Sequence, residues 1–558
     1  MRATDPGGAW HDGVLLALSF GVIFFIGLGD AALVNPDEGR YAEIPREMVA
    51  SGDYVTPRLD GVLYFEKPPL LYWMVAGMLR LFGPQEIAMR APAAFFALAG
   101  VLVVYGVGRW LYGRVAGLAA ALVLGSSLLY FALGRILLID MVVSVLMCAA
   151  LFCFLLGVRE PAGIRRRWFF YGLYASAALA TLAKGLIGFL VPGAVMFSWL
   201  LVFNQWRRLR PFYLPTGLLL FLAIAVPWHV LAAQRNPGWA HFYFVREHWE
   251  RFTTTEHGRT APWWFFVPVV LLGLFPWTGC LWGALRSALA GGWSKRSQNA
   301  DAWFLVTWAA FVFLFFSKSQ SKLIPYILPV FPPLALLIGR WLGRVWEEGA
   351  AAPLRLAARI FGVMAAALGA AIAISLLRPD IIGDRAQLQA LRPSGLVAAM
   401  ALLCGGAVVP WFCAGDRLRS MLIAVAASVG SLYLVLADAQ ENIARPGTKE
   451  LASYVRNHAQ PDDRVFHYYE FFHDFTFYAQ QVVGTVAYAS ELELSIDPAA
   501  RASGRFISEA EFRAQWSQPR RIWVVARKKD VRALFTDPGF RYHLLGETRG
   551  HYLFSNQP

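Results

Sequence analysis

Charge is scarce in this chain. Only 16% of its 558 residues are Asp, Glu, Lys or Arg, while 57% are hydrophobic; soluble globular proteins carry about 25% charged residues. That deficit excludes both a string of soluble domains and a disordered chain. Cysteine is scarce too. Cys148, Cys153, Cys280, Cys404 and Cys413 all lie inside apolar runs, where they read as small buried hydrophobes. No CxxC or Cys/His spacing points to zinc or redox chemistry. The sequence has no internal repeat of fixed period and no low-complexity tract. It also lacks a basic patch interleaved with aromatics, so no nucleic-acid partner is expected despite a formal net charge of +14.

Long apolar runs are abundant. A helix needs about 20 apolar residues to cross a bilayer, and such runs recur up to residue 437. The expected fold is mainly α, a polytopic membrane helical bundle. Its Lys and Arg first set orientation and then attract anionic membrane lipids. The first run, Val14–Val34, is too long for a cleaved secretory core and reads as an uncleaved anchor. Further runs cover 91–108, 115–132, 140–158, 168–183, 186–203, 211–233, 262–285, 302–317, 323–339, 360–377, 396–413 and 419–437.

The stretch 68–83 is short, opens with Pro68-Pro69 and contains Arg80. Charge decides its place. If it lies on the membrane surface, Arg109/Arg114, Arg165–Arg166–Arg167, Arg207/Arg208/Arg210, Lys295/Arg296, Arg340/Arg344/Arg355/Arg359 and Arg417/Arg419 share one side, a positive-inside pattern. If it spanned, all would fall outside. The expectation is therefore about 13 transmembrane helices, with the N-terminus cytoplasmic. Residues 1–437 form the transmembrane domain, whose outer loop 35–90 carries surface helices. Residues 438–558 form a soluble α/β domain on the outer face. There, β-rich runs (Arg464–Tyr469, Val482–Tyr488, Arg521–Ala526) alternate with helix-like ones (Lys449–Asn457, Ser508–Trp516).

The outer loop 35–90 is rich in chemistry. Asp37 follows Asn35-Pro36 at the start of a short helix. One reading makes it an N-cap. Its neighbours Arg40, Tyr41, Glu43, Glu66 and Lys67 favour function, because charge at membrane depth is costly. Lys67, held extended before Pro68-Pro69, is placed to meet a lipid phosphate; the competing reading is a lysine snorkelling to head groups. Arg135 and Asp140 bring a second carboxylate just outside the third span, or else an Arg–Asp pair capping a helix. The outer loop 234–261 adds Arg246-Glu247-His248-Trp249-Glu250-Arg251-Phe252 and Glu256-His257-Gly258-Arg259. Lys318, Lys322 and Tyr326 lie between two spans on the outside, where lysine is disfavoured unless an anionic ligand is bound. Glu66 and His248 could ligate zinc, though two ligands do not make a site. A transporter would instead place ionisable groups near the bilayer midplane.

Asp37-Glu38-Gly39-Arg40-Tyr41, Glu66-Lys67-Pro68-Pro69-Leu70 and Arg246-Glu247-His248 through Arg251-Phe252 resemble the GT-C superfamily of membrane glycosyltransferases. The branch is the one related to protein mannosyltransferases, and the best match is the 4-amino-4-deoxy-L-arabinose (lipid A) transferase family. The resemblance implies a GT-C bundle, an undecaprenyl-phosphate-linked aminoarabinose donor and lipid A phosphate as acceptor. It implies a bacterial inner membrane with the site facing the periplasm; the chain is expected to act as a monomer, with its C-terminal domain periplasmic. No cofactor is required, with a divalent metal (zinc) at the outer face as the variant. Asp37 and Asp140 are the catalytic candidates. Arg40, Tyr41, Lys67, Arg251, Lys318, Lys322 and Tyr326 are candidates for binding donor phosphate or substrate, because cations must stabilise charge on a departing phosphate. The alternatives are a related enzyme acting on protein or another glycan, a lipid-linked sugar flippase, and a non-catalytic lipid-binding scaffold.

Overall fold

In the computed structural model, residues 6–250, 261–378, 385–440, 447–487, 492 and 497–558 are described. Among them, nine helices are long and apolar enough to cross a bilayer, and the chain is a multi-pass membrane protein. Four of the expected spans depart from one long apolar helix, for local reasons. The span 115–132 is divided into helices Arg114–Gly125 and Leu128–Leu133. The span 262–285 is divided into Phe266–Gly273 and Cys280–Ala288 around Pro276, which has no N–H to continue a helix. Ile187–Phe203 has 17 residues. Ile164–Lys184 opens on three arginines. The first helix runs Pro6–Phe25, ending before Gly27, which turns the chain at φ 62°. Leu70–Phe82 has 13 residues, about 20 Å of helix against the roughly 30 Å a span requires.

Two units are present. The first comprises Met1–Leu28, Ala93–Pro227 and His248–Ile443, a helical bundle. Small residues let its helices approach closely: a Cβ on Gly339 would lie 2.5 Å from the Ala120 nitrogen, and one on Gly343 3.0 Å from the Ala116 Cα. Inside this unit Asp12 accepts from Arg114 at 2.7 Å and from the Tyr105 hydroxyl at 2.7 Å.

The second unit comprises Gly29–Pro92, Trp228–Glu247 and Ala444–Pro558. Segment 35–90 is thus grouped with the C-terminal residues, a division that differs from the linear one at residue 437. A small hairpin joins β1 (Arg58–Leu59) and β2 (Val62–Leu63). The main sheet uses β3 (Arg464–Tyr468), β4 (Gly484–Val486), β5 (Phe506–Ile507), β6 (Ile522–Arg527), β7 (His543–Glu547) and β8 (His551–Ser555). Their order is β5-β4-β3-β6-β8-β7. The first four strands are parallel, and β8 pairs antiparallel with β6 and β7. Alternation along the strands sends Phe466, Tyr468, Val524 and Ala526 into a core with Phe512 and Trp516 of helix Glu509–Trp516, which a Ser508/Glu511 capping box starts. The other face carries His467 and Trp523, whose rings meet Phe475 and Tyr454.

Long-range hydrogen bonds tie the segment 29–92 into this unit. The Leu33 N–H donates to the Tyr478 hydroxyl (2.8 Å) and the His473 N–H to Asn35 Oδ1 (3.0 Å). The Val483 N–H donates to Asp60 Oδ1 (2.7 Å), and Asn236 Nδ2 to Thr56 Oγ1 (3.1 Å). Helix Asp37–Ser51 lies so close to His473–Ala479 that a Cβ on Gly39 would be 2.5 Å from the Asp474 nitrogen.

Candidate functional site

Helix Asp37–Ser51 has Pro36, not Asp37, at its N-cap, and no side chain caps it. The N-cap reading of Asp37 is therefore not realised. Its carboxylate is 57% exposed and lies 3.6 Å from Arg40 Nη1. The adjacent acid has the structural task instead. Glu38 is buried, accepts the Val34 N–H at 2.9 Å, and holds Arg90 through two short bonds. Arg90 also donates to the Ala31 and Ala32 carbonyls. In the sequence Glu38 figures only as part of the motif Asp37–Tyr41, and Arg90 does not stand out, because their pairing bridges 52 positions.

Tyr41 is buried, with its ring 6.1 Å from that of Tyr72. Lys67 is also largely covered. Its ammonium donates to the Glu66 carbonyl at 2.9 Å and to Glu247 Oε2 at 3.3 Å, and lies 3.9 Å from Glu66 Oε2. Glu247 comes from the segment Trp228–Glu247, so segments far apart in sequence meet at this lysine. Nearby Tyr64 is buried; burial first, then the Glu66 carboxylate, push its pKa up, keeping the phenol neutral. This cluster thus offers one exposed carboxylate and cations whose charge is balanced at short range.

A second cluster lies in the helical unit. Asp140 opens helix Ile139–Gly157 and is ion-paired with Lys184, the last residue of Ile164–Lys184. The Lys184 ammonium sits 4.4 Å from the centroid of the Tyr326 ring, a cation–π distance. Lys184 falls between the apolar runs 168–183 and 186–203, and a lysine in such a place is itself a signal of function. The expected Arg135–Asp140 association takes another form. Arg135 donates to the carbonyls of Ile23 and Phe24 at the end of the first helix, and to Gln440 Oε1. Lys318 is exposed at the end of helix Ala300–Lys318. Lys322 is buried and turns back to the Ser319 carbonyl. It is thus committed to the chain's own backbone.

Arg251, Glu256, His257 and Arg259 lie outside the described residues, as does the side chain of His248. Among the described residues, no group of three His, Cys, Asp or Glu side chains is placed to hold a metal. Glu66 Oε2 lies 3.9 Å from the Lys67 ammonium. No step is routed through a metal centre.

Apolar helices in a bundle, an exposed carboxylate beside an arginine and a small α/β sheet unit together define a GT-C membrane protein. The sequence profile described as dolichyl-phosphate-mannose-protein mannosyltransferase matches residues 66–230. The chain belongs, within that class, to the family of undecaprenyl phosphate-α-4-amino-4-deoxy-L-arabinose arabinosyl transferases. It is 33% identical over 399 residues to the member from Aeromonas salmonicida, covering 71% of each chain. It is 35% identical over 330 residues to a member from Sodalis glossinidius. That match spans 59% of each chain, less than two thirds of the relative's length. Among solved structures, ArnT from Cupriavidus metallidurans bound to undecaprenyl phosphate matches with a TM-score of 0.84 and 28% identity, covering 97% of both chains.

Proposed function

We propose that the protein transfers 4-amino-4-deoxy-L-arabinose from undecaprenyl phosphate to a lipid A phosphate at the periplasmic face of a bacterial inner membrane. The observation that carries this reading is the match, along 97% of the chain, to an ArnT structure holding undecaprenyl phosphate. The positive-inside pattern supports a cytoplasmic N-terminus and a periplasmic outer loop and C-terminal unit. The reading takes the protein to act as a monomer, without a required cofactor.

In the transfer, a lipid A phosphate oxygen forms a bond to the anomeric carbon. The bond from that carbon to the donor phosphate oxygen breaks, and its electron pair leaves with polyprenyl phosphate. Charge grows on the leaving phosphate, and cations preorganised beside it lower the barrier. Lys67 and Arg40 have that role here, with Arg251 beside them in the sequence-based assignment. Asp140 and Lys184 with Tyr326 serve substrate binding in the helical unit. The acceptor phosphate is already anionic near neutral pH, so Asp37 orients it or removes a residual proton.

Mass spectrometry of lipid A from cells with and without the protein tests the reaction. A phosphate-linked aminopentose present only with the protein is expected, and its absence overturns the reading. Purified Lys67→Ala should lose polyprenyl phosphate binding. Binding as tight as the parent's would remove Lys67 from the donor site.

A further inference from the structure

Two arginine-rich segments meet within the helical unit. Arg165, Arg166 and Arg167 stand in the first turn of helix Ile164–Lys184. Arg207 and Arg208 belong to the short turn Trp206–Leu209, and Arg210 follows it. Arg166 joins the two. It is 4% exposed, and its guanidinium donates to the carbonyls of Glu160 at 2.8 Å, Arg208 at 2.5 Å and Pro211 at 3.0 Å. The Arg167 guanidinium also reaches across, 5.4 Å from the centroid of the Tyr213 ring.

The charge gathered here is left unbalanced. Arg165, Arg167, Arg207 and Arg210 are exposed and Arg208 is partly so. None of these five forms an ion pair among the described residues. Glu160 is the one acid in segments 159–168 and 204–214, and nearby Asp301 is ion-paired with Arg159. Arg159 registers the crowding: burial lowers its pKa, and Arg208 adds to the fall. Cations are also disfavoured at the positive end of a helix dipole. Membrane orientation calls for positive charge on this side, but not for a fold that draws two such segments together against their own repulsion.

The flanks of this patch are apolar. Trp168 is 64% exposed and Trp206 41%, and the Trp206 ring packs 5.8 Å from that of exposed Phe197. Tryptophan of this kind marks the level of lipid headgroups. Guanidinium groups match phosphate oxygens, and basic pockets between spans on the cytoplasmic side take anionic headgroups. A headgroup with two linked phosphates meets more of this charge than one phosphate does, because its second contact is intramolecular. We infer that the cluster is a site for a phospholipid of the cardiolipin class, held between Arg165 and Arg167 of the helix and Arg207, Arg208 and Arg210 of the turn. Its readout is lipid binding, so it stands or falls apart from the transferase reading.

The test titrates the full-length protein in detergent with cardiolipin, phosphatidylglycerol or phosphatidylcholine and counts retained lipid by native mass spectrometry. Cardiolipin should bind more tightly than phosphatidylglycerol at equal phosphate concentration, and phosphatidylcholine least. Arg165→Gln, at an exposed side chain, should weaken cardiolipin binding about fivefold, the scale of one arginine beside an anionic lipid. The double variant Arg207→Gln, Arg208→Gln should weaken it about 25-fold, with folding checked by the melting temperature; if the double variant unfolds, Arg165→Gln carries the test. Arg419→Gln removes an exposed arginine from another helix expected on the same side and should change nothing. Cardiolipin and phosphatidylglycerol binding equally per phosphate, or Arg419→Gln costing as much as Arg165→Gln, would show diffuse attraction to a charged surface and overturn the inference. Failure of the parent protein to retain cardiolipin overturns it as well.

Discussion

Glu38 and Arg90 face each other in a two-point ion pair buried from solvent: Arg90 Nε lies 2.8 Å from Glu38 Oε1, and Nη2 lies 2.7 Å from Oε2. Their side chains are 2% and 0% exposed. Removing one partner leaves a charge without compensation in the interior, which costs about 3–5 kcal/mol. Arg90→Ala should therefore lower the thermal midpoint of the purified protein by far more than Arg40→Ala. Arg40 is paired at 3.6 Å with the exposed carboxylate of Asp37. Equal midpoints for the two variants would contradict this.

Asp37 should behave in the opposite way. It caps nothing, and its carboxylate is 57% exposed, so an exposed pair such as Asp37–Arg40 contributes about 0–1 kcal/mol. Asp37→Asn is expected to melt like the parent. Its transfer rate should fall by about 10²–10⁴, the scale of a positioned acid–base group. Sugar transfer in lipid and thermal stability are to be measured on the same sample, and full turnover would return Asp37 to a passive role.

Asp140 and Lys184 are predicted to act as a unit. Each is the other's ion-pair partner across two helix ends. Asp140→Asn and Lys184→Met should each impair transfer, and the double variant should be little worse than the weaker single one. Such non-additivity marks coupled residues. Fully additive losses in kcat/KM would show that the two act separately.

The C-terminal sheet unit should be sensitive to acid. His467 is fully buried among Phe471, Phe472 and Phe475, and neither ring nitrogen has a hydrogen-bond partner among the described residues. Burial lowers its pKa well below 6.5, helped by His473 and His551. Burial, with Arg527, also pushes His551 down from 6.5 to about 4. The unfolded chain therefore binds more protons below pH 6.5, so stability is present above that value and is lost as pH falls. The share due to His551 levels off below about pH 4. Tryptophan fluorescence during denaturant unfolding of the full chain at several pH values would show the slope. His467→Leu should flatten it, and an unchanged slope would assign the acid sensitivity elsewhere.

Much of this protein is legible locally. Runs of apolar residues declare a membrane bundle, because an unpaired backbone in lipid is too costly for anything but helices. Strand runs near 464–469 and 521–526 and the helix after Ser508 appear where periodicity and capping place them. The short strand β5 and the antiparallel pair β7–β8 do not stand out, since β5 has two residues and the burial of β7 shows no alternation. The expected spans 115–132 and 262–285 also fail as continuous helices, because hydropathy averages over breaks that backbone hydrogen bonds register.

By itself, the sequence determined the class of molecule and which loops are rich in acids and bases, since both follow from local composition and the cost of burying charge. Tertiary structure alone decided which of those charges meet. Glu38 takes Arg90 while its neighbour Asp37 stays exposed. Lys67 finds Glu247 across 180 positions, and Asp140 finds Lys184 rather than Arg135. The physical reason is range. A hydropathy pattern sets which face of a helix is buried, but an ion pair needs two side chains within about 4 Å. That depends on the register and rotation with which distant segments pack.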